Sequence, residues 1–241
     1  MRPPAPGAVE VWTIDLDAEA SPAVLAPDEV ARSRAFRFDR DRDRYVAGRA
    51  AVRRILGDYL GCDAPAVAFR YNEQGKPRLA TSGSAPVDFN FTNCGGIGLL
   101  AVIGGGNGPV GIDLELVRAG FAGDEIAERF FAPEEVAVLR ALPPADQELA
   151  FFRCWTRKEA FLKALGGGLS IPLDGFEVAF VDRAGAIVRL DPAYTPVPAA
   201  GWAVLDVSDV ASGAVAAVAA VAAVVAPAPL AVARHRADTG F

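Results

Sequence analysis

Three carboxylates and a lysine stand at strand and helix spacings. The stretch "GIDLE" holds Asp113 and Glu115, and residues i and i+2 of a β-strand face the same side. The stretch "WTRKEAFLK" holds Glu159 and Lys163, which at i and i+4 share one face of an α-helix. Trp155 lies one turn earlier on that face and is read as a packing residue. If strand and helix pack together, three oxygen donors converge beside one ammonium. With no His or Cys among them, the set suits a hard cation, Mg²⁺ or Mn²⁺. The plain alternative is a surface strand with ordinary acids and a Glu–Lys pair worth ~0.3–0.5 kcal/mol.

Lysine is scarce in the chain. Of the 24 Lys and Arg residues only Lys76, Lys158 and Lys163 are lysines, and two of them flank Glu159. The third lies in "NEQGKP", where a Gly-Lys turn offers backbone N–H groups and an ammonium to phosphate oxygens. Upstream, "RSRAFRFDRDRDRYVAGRAAVRR" (Arg32 to Arg54) is locally basic and suits an anionic small molecule. "FNFTNCGG" adds Asn90, Thr92 and Asn93 as hydrogen-bonding groups. Read alone, the GKP turn and the strand exit are also ordinary structural features.

Composition removes several classes. The net charge of −6 over 241 residues argues against a general nucleic-acid binder, which needs clustered positive charge. Cys62, Cys94 and Cys154 lack CxxC spacing, so neither a disulfide framework nor a zinc finger follows. The one histidine, His235, falls in an expected C-terminal tail, which sets aside a Ser-His-Asp triad and a His-ligated zinc. The opening "MRPPAPGAVEVW" lacks a signal-peptide core. The Ala/Val run from Ala214 to Val225 is shorter than the ~20 residues of a membrane helix and reads as a buried strand. A cytoplasmic protein is expected.

The elements that must position these residues recur in two halves. "TIDLD" (Thr13 to Asp17) is echoed by "GIDLE" (Gly111 to Glu115). "PDEVARSRA" from Pro27 is echoed by "PEEVAVLRA" from Pro133, and "GRAAVRRILGDYLG" from Gly48 by "RKEAFLKALGGGLS" from Arg157. Each half reads as a strand, a helix opened by Pro at its first turn, a longer helix and further strands. Gly57 and the Gly pair after Leu165 read as helix stops. The expectation is α+β, with two similar subdomains, 1–106 and 107–241. In the last echo Arg49 matches Lys158, Ala50 matches Glu159 and Arg54 matches Lys163, so in this helix the first copy keeps positive charge and lacks the acid, and the second has both.

"VGIDLE" (Val110 to Glu115) followed by "WTRKEAFLK" (Trp155 to Lys163) resembles the 4′-phosphopantetheinyl transferases of the surfactin type. "NEQGKP" and "FNFTN" sit where that family has a GKP turn and an FN-(hydrophobic)-S-H segment. The resemblance implies a pseudo-twofold fold with the active site at the subdomain interface. It implies transfer of the phosphopantetheine arm of coenzyme A to a serine of an apo acyl or peptidyl carrier protein, releasing 3′,5′-ADP. Such carriers belong to fatty-acid, polyketide or nonribosomal peptide synthases. By position, Asp113, Glu115 and Glu159 are the implied magnesium ligands, and Glu159, Lys163 and Asp113 the implied catalytic residues. Arg32, Gly75, Lys76, Pro77, Asn90, Thr92, Asn93, Lys158 and Lys163 are the implied coenzyme A contacts. Asn93 replaces the family's usual His; it donates a hydrogen bond but carries no charge, which implies a weaker anion contact. The carrier is expected on the region Phe121–Arg140 and the residues after Leu165. No nucleic acid, no membrane and a monomer are expected. The competing readings are a metal-dependent phosphodiesterase and a non-catalytic carrier- or coenzyme-binding module.

Overall fold

In the computed structural model, residues 1–81, 83–117, 124–168, 171–181, 184–185, 187–208, 214–221 and 231–237 are described. The first elements along the chain are β1 (Ala8–Asp15), α1 (Pro27–Ser33), α2 (Asp39–Leu60), β2 (Phe69–Tyr71), β3 (Pro77–Leu79), β4 (Val87–Cys94) and β5 (Ile97–Gly104). Next come β6 (Val110–Leu116), α3 (Asp124–Phe130), α4 (Pro133–Ala141) and α5 (Pro144–Leu165). The remaining strands are β7 (Phe176–Val178), β8 (Ala184–Gly185), β9 (Ile187–Leu190), β10 (Trp202–Asp206), β11 (Ala214–Val221) and β12 (Ala231–Arg236). The fold is α+β, in two units: Met1–Gly106 with Ala231–Phe241, and Asn107–Leu230.

In the first unit the sheet order is β12-β1-β5-β4. The "GG" turn joins β4 and β5 as an antiparallel hairpin, Cys94 opposite Ile97. The apolar face of α2, with Ala51, Ile55 and Leu56, packs on Ile14, Phe89, Leu100 and Val102 of this sheet. Residues 231–237, which the sequence places with the second half, return to the first. Their strand β12 pairs in parallel with β1, from Ala8 opposite Ala231 to Thr13 opposite Arg236. His235 is therefore no tail residue. Its ring stacks on Trp12 at 4.4 Å and its Nε2 lies 3.2 Å from Glu10 Oε2.

Gly57 does not stop its helix either. Helix α2 continues to Leu60 and ends at Gly61, whose φ of 66° is left-handed. Gly57 serves close packing instead, since a Cβ there would lie 2.7 Å from the Cys62 carbonyl oxygen. At the end of α5, Gly166 with φ 75° is the stop read from the sequence.

The second unit has the sheet order β6-β11-β10-β8. The expected Ala/Val strand is β11, antiparallel to β6 with Ala217 opposite Asp113; residues 222–225 of that run lie outside the described residues. Helix α5 is amphipathic over six turns, and Phe151, Phe152, Phe161 and Leu162 join Phe176, Trp202 and Val204 in one core. Trp155 stacks within this aromatic group, 6.1 Å from Phe151.

Strand β6 meets α5 at Gly111. A Cβ on Gly111 would lie 2.0 Å from the Ala160 carbonyl oxygen and 2.3 Å from the Ala164 nitrogen. Backbone cannot move aside as a flexible side chain can, so Gly111→Ala should push helix and strand apart. The expected cost is about 1–3 kcal/mol, a fall of roughly 2–12 °C in thermal midpoint at this chain length. A thermal melt within 1 °C of wild type would disprove the close contact.

The repeated helix starts share one device. Pro27 and Pro133 open α1 and α4, and Glu29 and Glu135 occupy the third position of each. Each glutamate accepts the N–H of the residue before the helix, Ala26 or Ala132, at 2.9 Å. Each is buried and bound to a cation of the next long helix: Glu29 to Arg49 and Arg53, Glu135 to Lys158. Arg49 and Lys158 are the residues matched by the sequence repeat.

Candidate active site

Period two along β6 turns Gly111, Asp113 and Glu115 to the side that meets α5, while Ile112 and Leu114 face away and are buried. From α5, Lys163 donates to Asp113 Oδ1 at 2.6 Å. Asp113 is only 4% exposed, and among the described residues its buried Oδ2 has no hydrogen-bond partner. Glu115 and Glu159 are half-buried. Burial pushes the Glu159 carboxyl above its usual range, the charge of Asp113 adds to the rise, Lys163 opposes it and Glu115 adds again. Asp113, Glu115 and Lys163 thus all act on Glu159.

A cation site can be judged from the donors. All three are carboxylates, which suits a hard cation, and the orphaned Asp113 oxygen is an acceptor awaiting a partner. Among the described residues, however, no three His, Cys, Asp or Glu side chains are gathered at ligating separations. Lys163 is the counter-charge on Asp113.

Lys158 is not where the motif reading puts it. It is fully buried, and its three N–H groups are spent on Glu135 Oε2 at 2.7 Å, the Leu173 carbonyl at 2.8 Å and the Phe176 carbonyl at 2.6 Å. A side chain saturated in the core cannot also meet a coenzyme phosphate. Its partner Glu135 escaped the sequence reading as a functional residue. The one signal for it was an acid at the third position of a Pro-initiated helix, the pattern of a helix cap. Burial holds the Glu135 carboxyl above its usual range, outweighing the opposing Lys158.

In the first unit, Arg32, Gly75, Pro77 and Asn93 line one cavity of about 590 Å³. Arg44 and Arg49 also border it, although Asp17 and Glu29 respectively bind them. Tyr45 and Tyr71 give the cavity aromatic walls. Phe91 and Asn93 face this cavity, so the alternation of β4 turns Asn90 and Thr92 to the other face, where both are buried. Lys76 is buried too, between two residues of the cavity wall. Burial lowers its ammonium to about 8, with Asp88 opposing and Arg78 adding to the fall. Of the anion-binding residues read from the sequence, the three on β4 are therefore divided between its two faces.

Comparison with known proteins covers both units. A family model described as the 4′-phosphopantetheinyl transferase superfamily matches residues 109–219, and one described as 4′-phosphopantetheinyl transferase, N-terminal, matches residues 14–104. The 4′-phosphopantetheinyl transferase HetI of Nostoc sp. is 39% identical over 196 residues, spanning 78% of this chain and 80% of its own. The chain belongs to the 4′-phosphopantetheinyl transferase family. A second member, Sfp of Bacillus subtilis, is 30% identical over 172 residues, spanning 71% of this chain and 74% of its own. The superfamily model's span contains Asp113, Glu115, Glu159 and Lys163, and the N-terminal model's span contains the cavity residues Arg32 to Asn93. Among the described residues of the transferase, no helix is long and apolar enough to cross a membrane.

Proposed function

We propose that the transferase moves the 4′-phosphopantetheine arm of coenzyme A to a serine of an apo acyl or peptidyl carrier protein, with Mg²⁺, releasing 3′,5′-ADP. The observation that carries this reading is the meeting of "GIDLE" and "KEAFLK" at Gly111, which brings Asp113 and Lys163 to 2.6 Å with Glu159 in electrostatic reach. The two units, each with its capped helix and buried ion pair, are read as pseudo-twofold copies of one ancestral subdomain. A cytoplasmic monomer is proposed, acting on carriers of fatty-acid, polyketide or nonribosomal peptide synthases. Part of the surface expected to receive them, residues 121–123 and 169–170, lies outside the described residues.

In this proposal Arg32, Lys76 and Asn93 of the first unit bind the nucleotide end of coenzyme A, with Gly75 and Pro77 shaping the turn. Asn90 and Thr92, buried on the other face of β4, are not part of this contact set. Asp113, Glu115 and Glu159 would hold the magnesium ion, which when bound neutralises charge on the pyrophosphate oxygens. Glu159 accepts the proton of the carrier serine as its Oγ bonds to the β-phosphorus. The bond from that phosphorus to the bridging oxygen breaks, and 3′,5′-ADP leaves with the electron pair. Lys163 places a fixed positive charge beside the departing group.

The test is to incubate the protein with coenzyme A, Mg²⁺ and an apo carrier protein and weigh the carrier by intact mass spectrometry. A gain of one phosphopantetheine, abolished by EDTA, is expected. Several carriers left unmodified by a protein that still binds coenzyme A would overturn the proposal in favour of a binding module.

The low Lys76 value gives a separate expectation. As pH rises through about 8 the ammonium is lost, and with it an attraction for phosphate. The dissociation constant of coenzyme A should rise about tenfold from pH 7 to pH 9, the change in charged fraction of such a group. Lys76→Arg, which stays charged, should flatten the profile in calorimetric titrations. An equal slope in both proteins would remove Lys76 from the binding site.

A further inference from the structure

Helix α5 carries two of the proposed reacting groups, and its rotation about its own axis decides where they point. At ~100° per residue, Glu159 lies about 100° around the helix from Lys158, and Lys163 about 140° around. A roll of ~10° at the ~6 Å radius of a helical side chain moves its end by ~1 Å. A misplacement of that size can cost a hundredfold in rate.

We propose that Lys158 is a positioning residue: with Glu135 it fixes the roll of α5 and thereby the places of Glu159 and Lys163. The three acceptors of its ammonium come from outside the helix. The Leu173 and Phe176 carbonyls hold it to the turn entering β7, and Glu135 holds it to the first turn of α4. Glu135 is itself fixed by the Ala132 N–H at 2.9 Å and by the Val178 N–H at 2.8 Å. The Phe176 ring, 4.3 Å from the ammonium, closes the remaining side. A rigid, saturated contact one residue before Glu159 is a pivot for the site face.

The first unit shows that the device is separable from chemistry. Glu29 and Arg49 keep the corresponding pair, with Glu29 buried and Arg49 partly so, yet Ala50 stands where the second unit has Glu159. The pair therefore belongs to the framework, and in the second unit that framework carries the reacting groups.

The inference rests on the proposed transferase reaction, and the experiment separates the two. Glu135→Gln with Lys158→Met removes both charges at nearly constant volume. The double variant should keep its circular dichroism and bind coenzyme A within twofold of wild type, with KM for coenzyme A unchanged and kcat reduced at least thirtyfold. A folded double variant with kcat within threefold of wild type would show that the pair only stabilises. A loss confined to KM for coenzyme A would make Lys158 a coenzyme ligand and also overturn the inference. If the double variant does not fold, Lys158→Arg keeps the pair and alters its length: a kcat-specific loss supports positioning, and wild-type kcat refutes it. Absence of transfer by the wild-type protein would instead overturn the reaction on which the role depends.

Discussion

Glu159→Gln should lower kcat by about 10²–10⁴-fold, the usual contribution of a positioned proton acceptor, without unfolding the protein. Glutamine keeps the shape of the side chain and loses both the charge and the capacity to take a proton. Glu159 lies on the half-buried face of α5, outside the aromatic core, so the substitution removes no core packing. Its carboxyl lies among Asp113, Glu115 and Lys163, and removing one negative charge relieves repulsion in the resting protein. Thermal stability should therefore be unchanged or slightly higher while turnover collapses. The comparison is initial rates at saturating carrier and coenzyme A, beside a melt of each protein. Near-normal turnover in a folded variant would take Glu159 out of the mechanism. A loss of melting temperature equal to that of a core substitution would mean that the residue supports the fold.

Much of this arrangement was legible in the sequence, because the informative contacts there are local. The i,i+2 acids of β6 and the i,i+4 pair of α5 follow from strand and helix periods, and α1 and α4 announce their starts with proline. The strands that pair as hairpins, β2 with β3 and β4 with β5, are close neighbours in sequence. The contacts that were misread are distant ones. Lys158 turns inward because an acid 23 residues before it and two carbonyls beyond the end of α5 await it, and nothing in "WTRKEAFLK" marks which face that will be. His235 joins a strand whose partner is at the other end of the chain. The alternation in "AVARHR" was the available sign, but a short polar strand at a terminus reads equally well as a tail. Gly57 reads as a stop by its type, whereas its role follows from a backbone approach that only the fold creates.

The repeat makes a second large effect calculable in direction. Glu29→Ala should destabilise the protein by about 3–5 kcal/mol, because it leaves Arg53 charged in the interior without its carboxylate. Arg53 is only 2% exposed, and its Nε lies 2.6 Å from Glu29 Oε2. Its remaining bonds to the Val67 and Ala64 carbonyls satisfy donors but not charge. The Ala26 N–H loses its cap at the same time. The exposed Asp17–Arg44 pair has comparable hydrogen-bond lengths, yet solvent screening makes its loss far less costly. Acidity supplies an independent check. Burial alone would raise the Glu29 carboxyl, but Arg53, the Ala26 N–H and Arg49 together hold it below its usual 4.5. A carboxyl lowered by folding contributes stability above its unfolded value and loses it as pH falls through the folded value. In urea unfolding, the gap between wild type and Glu29→Ala should be full at pH 7 and narrow below about pH 4, as the wild-type carboxyl takes up its proton. A gap under 1 kcal/mol at pH 7, or one constant down to pH 3, would mean that the buried arginine finds its compensation elsewhere.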